Sequence, residues 1–192
     1  ASCCLPIFKM EKLIDDHYYL DGGFYDVGPV NMLLEKGYKK VYLVKIHGVG
    51  IHRKYDINAD VVVIEPKRSL GSVIELDPKR IDENIKMGYY DTLKVLKSLD
   101  GYNYVFKVKQ DNFYQKINQK IPKYEYRRIK NFFNTKTPKE TTLKAIEYIM
   151  EKEKFNYYQI YQIKKVIKKI KKEYKNKDHF IYNYIKKIRV FF

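Results

Sequence analysis

Apolar residues come in short blocks over the first half of the chain and at three- and four-residue steps over much of the second. Lys12-Leu13-Ile14 and Tyr18-Tyr19-Leu20 flank the polar pair Asp15-Asp16, which predicts two short strands joined by a tight turn. Asp21-Gly22-Gly23 stops the second strand, and Pro29 opens a helix through Met32, Leu33 and Leu34. Gly37 sits where a glycine closes a helix. Residues 41–46 and 61–64 are strand-length runs that are apolar on both faces, the pattern of strands buried in a sheet covered by helices. A polar loop, 47–58, separates them. Asp77-Pro78 is a cap followed by Pro at the first helical position, opening a long helix with Ile81, Ile85, Tyr89, Leu93 and Leu96 on one side. The order strand, helix, strand, strand, helix predicts an α/β domain.

Past Gly101 the texture changes. Residues 104–108 alternate weakly, enough for one short strand, and no further strand signal follows. Thr137-Pro138-Lys139-Glu140 is a capping box, and Leu143, Ile146, Ile149 and Met150 supply the stripe of the helix it starts. Ile160, Ile163, Ile167, Ile170 and Tyr174 step as one helix face must, and Ile181, Ile185 and Ile188 mark a last helix. No internal repeat or low-complexity tract is present. The expected organisation is an α/β part over residues 1–99 and an all-α extension over residues 100–192.

Charge sharpens that boundary. The 192 residues carry a net charge of +16. Residues 1–100 hold 15 basic and 15 acidic side chains, whereas residues 101–192 hold 24 basic and 8 acidic. Lys outnumbers Arg by 33 to 6, and with abundant Tyr, Ile and Asn this is the mixture an AT-rich coding sequence produces. Charge alone therefore does not establish an anionic partner. No apolar run approaches the ~20 residues a bilayer span needs. Residues 1–6 show neither the basic region nor the apolar region of a signal peptide. The two cysteines, Cys3 and Cys4, are neighbours, which excludes a disulfide scaffold and a cysteine-built metal site. A reducing, cytoplasmic setting is expected. The first residue is not Met, so the sequence is expected to begin inside a longer chain.

The candidate chemistry lies at Asp21-Gly22-Gly23: a carboxylate at a strand end, followed by two residues without side chains. Glycines permit a positive φ and a sharp turn, which would leave the carboxylate at the crevice outside a strand end, where open α/β sheets bind ligands. An isolated Asp-Gly pair more often makes only a turn. Its surroundings add to it. The segment Ala1-Ser2-Cys3-Cys4-Leu5-Pro6-Ile7-Phe8, then Tyr19-Leu20-Asp21-Gly22-Gly23, then Asp26 and Pro29, resembles the patatin family. The helix ending at Gly37, the strands at 41–46 and 61–64, and Leu70-Gly71-Ser72-Val73 before the Asp77-Pro78 helix are similar too. The resemblance covers residues 1–98.

It implies the C-terminal part of a three-layer α/β/α patatin-type domain and the activity of a lipid acyl hydrolase, a phospholipase or esterase. In that family a Ser-Asp dyad works without histidine, and no cofactor or metal is required. By position Asp21 matches the dyad aspartate, the base that takes the serine proton, with Gly22, Gly23, Asp26 and Pro29 as its supporting motif. Two departures stand out. Val27 occupies the position where the family usually has Asn, and no G-x-S-x-G elbow is present. Ser69 and Ser72 do not sit between the required glycines. The nucleophile and the oxyanion loop are expected upstream, and this polypeptide alone is expected to be inactive.

The remaining candidates are weaker. His17 near Asp21 has no serine elbow to complete a triad, and His47 with His52 lacks an acidic partner for a metal. These and His179 are expected to be ordinary surface histidines. Residues 164–177 contain eight lysines and one glutamate around an apolar face. Lys164, Lys165, Lys168, Lys169, Lys171 and Lys172 are candidates for contact with an anionic membrane surface, the peripheral association a lipid hydrolase would make. A different class of function is a non-catalytic helical module for an anionic membrane surface or nucleic acid, with Tyr157, Tyr158 and Tyr161 as stacking platforms. Lys rather than Arg dominance argues against nucleic acid.

Overall fold

The computed structural model describes residues 12–72 and 77–190. The expectations for residues 1–8, including Cys3 and Cys4, and for Val73 fall outside them. The chain divides into two compact units, Ala1–Ile81 and Asp82–Phe192. The composition boundary at Asp100-Gly101 therefore falls inside the second unit. Helices and small sheets are mixed, broadly α/β.

In the first unit, β1 (Lys12–Ile14) pairs antiparallel with β2 (His17–Tyr19), with Leu13 opposite Tyr18. Asp15 and Asp16 at the turn have φ of 48° and 59°, the two left-handed positions of a turn that matches strand twist. Helix α1 (Val30–Glu35) begins after Pro29, and Gly37, with φ of 87°, closes it by donating its N–H to the Leu34 carbonyl at 2.9 Å. Strands β3 (Lys40–Val44) and β4 (Asp60–Ile64) pair in parallel, from Lys40 opposite Asp60 to Val44 opposite Ile64. The polar loop 47–58 makes a crossover that is more often helical.

Strand β3 is not buried on both faces, contrary to the expectation from its apolar run, whereas residues 61–64 of β4 are half-buried or buried. Val41 and Ile64 are buried and Leu43 is half-buried, but Tyr42 and Val44 are 53% and 63% exposed. Among the described residues β3 and β4 form the whole sheet, and α1 packs against β3. Strand alternation then turns Tyr42 and Val44 outward.

Helix α2 (Pro78–Leu96) starts at Asp77, whose Oδ1 accepts the Lys79 N–H at 3.2 Å. Its expected apolar stripe faces outward. Ile81, Ile85, Tyr89 and Leu96 are exposed, whereas Met87 and Asp91 are buried, Asp91 pairing with Lys94 at 3.4 Å.

The second unit is built round α5 (Pro138–Lys152), which packs against α3 (Asp111–Asn118), α4 (Lys123–Phe132), α6 (Ile163–Glu173) and α7 (Phe180–Lys187). Its capping box is formed: Thr137 Oγ1 accepts the Glu140 N–H at 3.2 Å, and Glu140 returns the contact to the Thr137 N–H at 3.4 Å. Leu143, Ile146, Ile149 and Met150 from α5 meet Ile163, Val166, Ile167 and Ile170 from α6 and Ile181 and Ile185 from α7 in one core. The unit is not purely helical. Strands β5 (Val105–Phe106) and β6 (Ile160–Tyr161) pair in parallel, which takes Ile160 out of the helical stripe. Buried Glu147 of α5 accepts the N–H groups of Tyr102, Asn103 and Tyr104 at 2.6, 3.0 and 3.4 Å, pinning the loop that leads into β5.

Candidate functional site

Asp21 stands two residues past the end of β2, after Leu20, and caps a single 3-10 turn, Gly22–Phe24. Its Oδ1 accepts the Gly23 N–H at 2.7 Å, and its carbonyl accepts the Phe24 N–H at 3.1 Å. The carboxylate is half-buried, and no donor among the described residues bonds its second oxygen. One oxygen is thus held in place by the turn.

The glycines serve differently from the expectation. Neither Gly22 nor Gly23 has a positive φ. The turn needs a glycine for space at Gly23 and not at Gly22. A Cβ at Gly22 would meet nothing within 4 Å, whereas one at Gly23 would stand 3.0 Å from Asp21 Oδ1 and 3.5 Å from the Val49 carbonyl.

That second distance exposes a partner segment that the sequence pattern did not reveal. Residues 49–53 lie against the turn: Ile51 N–H donates to the Gly23 carbonyl at 2.9 Å, and Val27 N–H donates to the Ile51 carbonyl at 2.8 Å. Gly50, with φ of 154°, has no room for a side chain, since a Cβ would overlap the Gly23 carbonyl and lie 2.6 Å from Val27 Cγ2. The signal for this contact was Gly48-Val49-Gly50 inside an otherwise polar connection.

Asp26 is buried and holds this loop pair together. Its Oδ1 accepts the Gly28 N–H at 3.1 Å and, more weakly, the Arg53 N–H at 3.4 Å. Arg53 donates Nε to the Tyr25 carbonyl at 2.9 Å and lies 3.9 Å over the Tyr25 ring. Pro29 is the residue from which α1 starts. Asp21, Gly23 and Asp26 therefore share one loop assembly, and Pro29 ties it to α1.

His17 is not part of it. It is exposed and hydrogen-bonds the Asp15 carbonyl through Nδ1 at 2.7 Å. His47 and His52 are exposed. His179 has a structural task the sequence did not suggest, accepting the Ile181 N–H at the start of α7 at 3.4 Å. Ser69 Oγ accepts the Gly71 N–H at 3.2 Å in a turn tied to α2 by Arg80. No group of three or more metal-binding side chains occurs among the described residues.

The candidate lysines lie on α6, whose apolar face is buried in the core. That face is not open to lipid, so any surface contact is made by charge. Lys165, Lys168 and Lys172 are exposed. Lys169 pairs with Glu173 at 3.8 Å, and Lys171 donates to the Ile188 carbonyl, with burial pulling its ammonium below the usual lysine range. The Tyr157 ring stacks on Tyr104 with centroids 4.5 Å apart, and the Tyr161 ring meets the edge of Tyr104. Both rings are occupied inside the unit. No helix among the described residues is long and apolar enough to cross a membrane.

Compared with protein-family models, with curated proteins and with solved structures, the chain gives no match.

Proposed function

We propose that this chain is the aspartate-bearing part of a patatin-like lipid acyl hydrolase, with Asp21 as the general base of a Ser-Asp dyad. The observation that carries the reading is the Asp21 carboxylate itself: half-buried at a strand end, with one oxygen held by Gly23 N–H and the other unbonded among the described residues. A carboxylate so oriented needs no histidine to align it. In the first step the hydroxyl of a serine supplied upstream attacks the acyl carbonyl while Asp21 takes its proton. The leaving alcohol recovers that proton. Water then attacks the acyl-serine, giving its proton to Asp21, and the carboxylic acid departs as the serine is restored.

Two further observations favour a larger three-layer domain around this part. The outer side of β3, with Tyr42 and Val44, and the stripe of α2, with Ile85 and Tyr89, are both uncovered apolar surfaces. Further strands and helices of a patatin-type domain would cover such faces. The exposed α6 lysines suit peripheral contact with an anionic membrane surface, where a lipid substrate is found.

The test is the Asp21→Asn variant in the full-length protein. Ester hydrolysis and fluorophosphonate labelling of the serine are expected to fall to background, with the circular dichroism spectrum unchanged. Wild-type hydrolysis by that variant would overturn the assignment. Labelling of this 192-residue chain alone would reveal a different nucleophile.

A further inference from the structure

The second unit carries a basic cleft that the hydrolase reading does not use. It has two adjoining parts, of about 280 and 440 Å³, that share Lys109 and Lys164. The smaller is also lined by Lys107, Gln162 and Ile163. The larger adds Val108, Gln110, Asn112, Phe113 and Lys116. Four lysines thus line one depression, and no carboxylate does.

The chain builds this concentration of charge from separate elements. Lys107 and Lys109 leave β5, Lys116 lies on α3, and Lys164 lies in the first turn of α6. The cleft is fixed from behind: Lys107 N–H donates to the Tyr161 carbonyl at 2.9 Å, and Lys109 N–H donates to Asp100 Oδ2 at 3.0 Å. The Asp100 carboxylate, which could offset the lysines, is engaged by Lys139 at 2.7 Å, while exposed Asp111, in the first turn of α3, meets Lys139 only at 4.0 Å.

A second feature adds to the charge. The first turns of both α3 and α6 line the cleft, and neither Gln110 nor Gln162 caps its helix with a side-chain hydrogen bond. Opening N–H groups of a helix have no intrahelical acceptor and favour an anion. Phe113 and Ile163 supply an apolar wall beside the lysines.

We propose that this cleft binds a phosphate group, held by Lys107, Lys109, Lys116 and Lys164 at the two helix starts. A doubly charged tetrahedral anion is suited to several converging ammonium groups and amide donors. The group could be carried by a lipid head or by a free phosphate. The site lies wholly within the second unit and does not depend on Asp21 acting as a base.

The experiment uses the 192-residue chain and two probes: inorganic phosphate, and phosphatidylcholine vesicles containing phosphatidic acid. Phosphate is expected to raise the melting temperature saturably, above sodium chloride at equal ionic strength. Lys109→Gln with Lys164→Gln is expected to weaken phosphate binding by about tenfold. The equally charged control, Lys165→Gln with Lys168→Gln, is expected to bind as the wild type does. Loss of the phosphate effect in the presence of vesicles assigns the site to a lipid head, and no competition assigns it to free phosphate. Both outcomes uphold the site. Absence of a saturable phosphate effect, or equal weakening in the control pair, overturns it.

Discussion

Gly22 and Gly23 are neighbours with unlike surroundings, and the contrast gives the proposed role of Asp21 a test that folding alone does not meet. Open space surrounds a Cβ at Gly22, while one at Gly23 presses on Asp21 Oδ1 at 3.0 Å. With Asp21 as the proposed base, Gly22→Ala is expected to keep hydrolysis close to wild type in the full-length protein. Gly23→Ala is expected to turn the carboxylate aside and lower kcat by about a hundredfold. Melting temperatures measured beside the kinetics separate that loss from unfolding. Equal activity in the two variants would detach the turn from the chemistry. That Asp21 would stand at a strand end could be read from one short stretch of sequence. That Gly50 and Arg53 complete its loop could not, because those contacts join residues more than twenty positions apart, and Gly48-Val49-Gly50 marks a close approach without naming what approaches.

At the scale of elements, Glu147 shows how one helix fixes a loop. Its carboxylate accepts three consecutive N–H groups, yet burial outweighs them and pushes the carboxyl above its ordinary value of 4.5. The folded unit therefore favours the protonated acid relative to the unfolded chain. By linkage, the stability Glu147 contributes is fully present below about pH 4.5 and is lost as pH rises through its folded value. Glu147→Gln, which cannot ionise, is expected to gain stability relative to wild type as pH rises above the ordinary carboxyl value of 4.5. Urea unfolding on both sides of that value checks it, and a constant difference would contradict it. Such a role is invisible in sequence, where Glu147 is one more polar position on an amphipathic helix. The helix itself was legible, since a capping box with Pro at the first position uses local chemistry. The α6 stripe was legible for the same reason. Helices α3 and α4 gave no comparable signal: their buried residues, Tyr114, Ile117 and Ile129, are scattered among lysines and arginines. Strand β6 exists through its pairing with β5, and two residues cannot announce a strand.

Over the whole molecule the charge is concentrated in one unit. Residues 82–192 hold 27 of the 39 basic side chains and 12 of the 23 acidic ones. Because the isoleucines of α6 are committed to the core, the Lys165, Lys168 and Lys172 side chains can attract a membrane without inserting. Co-sedimentation with phosphatidylglycerol vesicles is therefore expected at low salt and is expected to be lost near 1 M salt, where screening acts within about 3 Å. Retention at that salt would require an apolar anchor instead.

The parallel pair β3 and β4 has an outcome for handling the protein. Within the described residues it is a sheet with two unpaired edges and an apolar outer side. Unpaired edges are templates for another chain. Expressed by itself, this polypeptide should self-associate by adding strands from neighbouring copies. Salt should hasten the process by screening the repulsion of a +16 molecule. Light scattering that rises with both concentration and salt would record it.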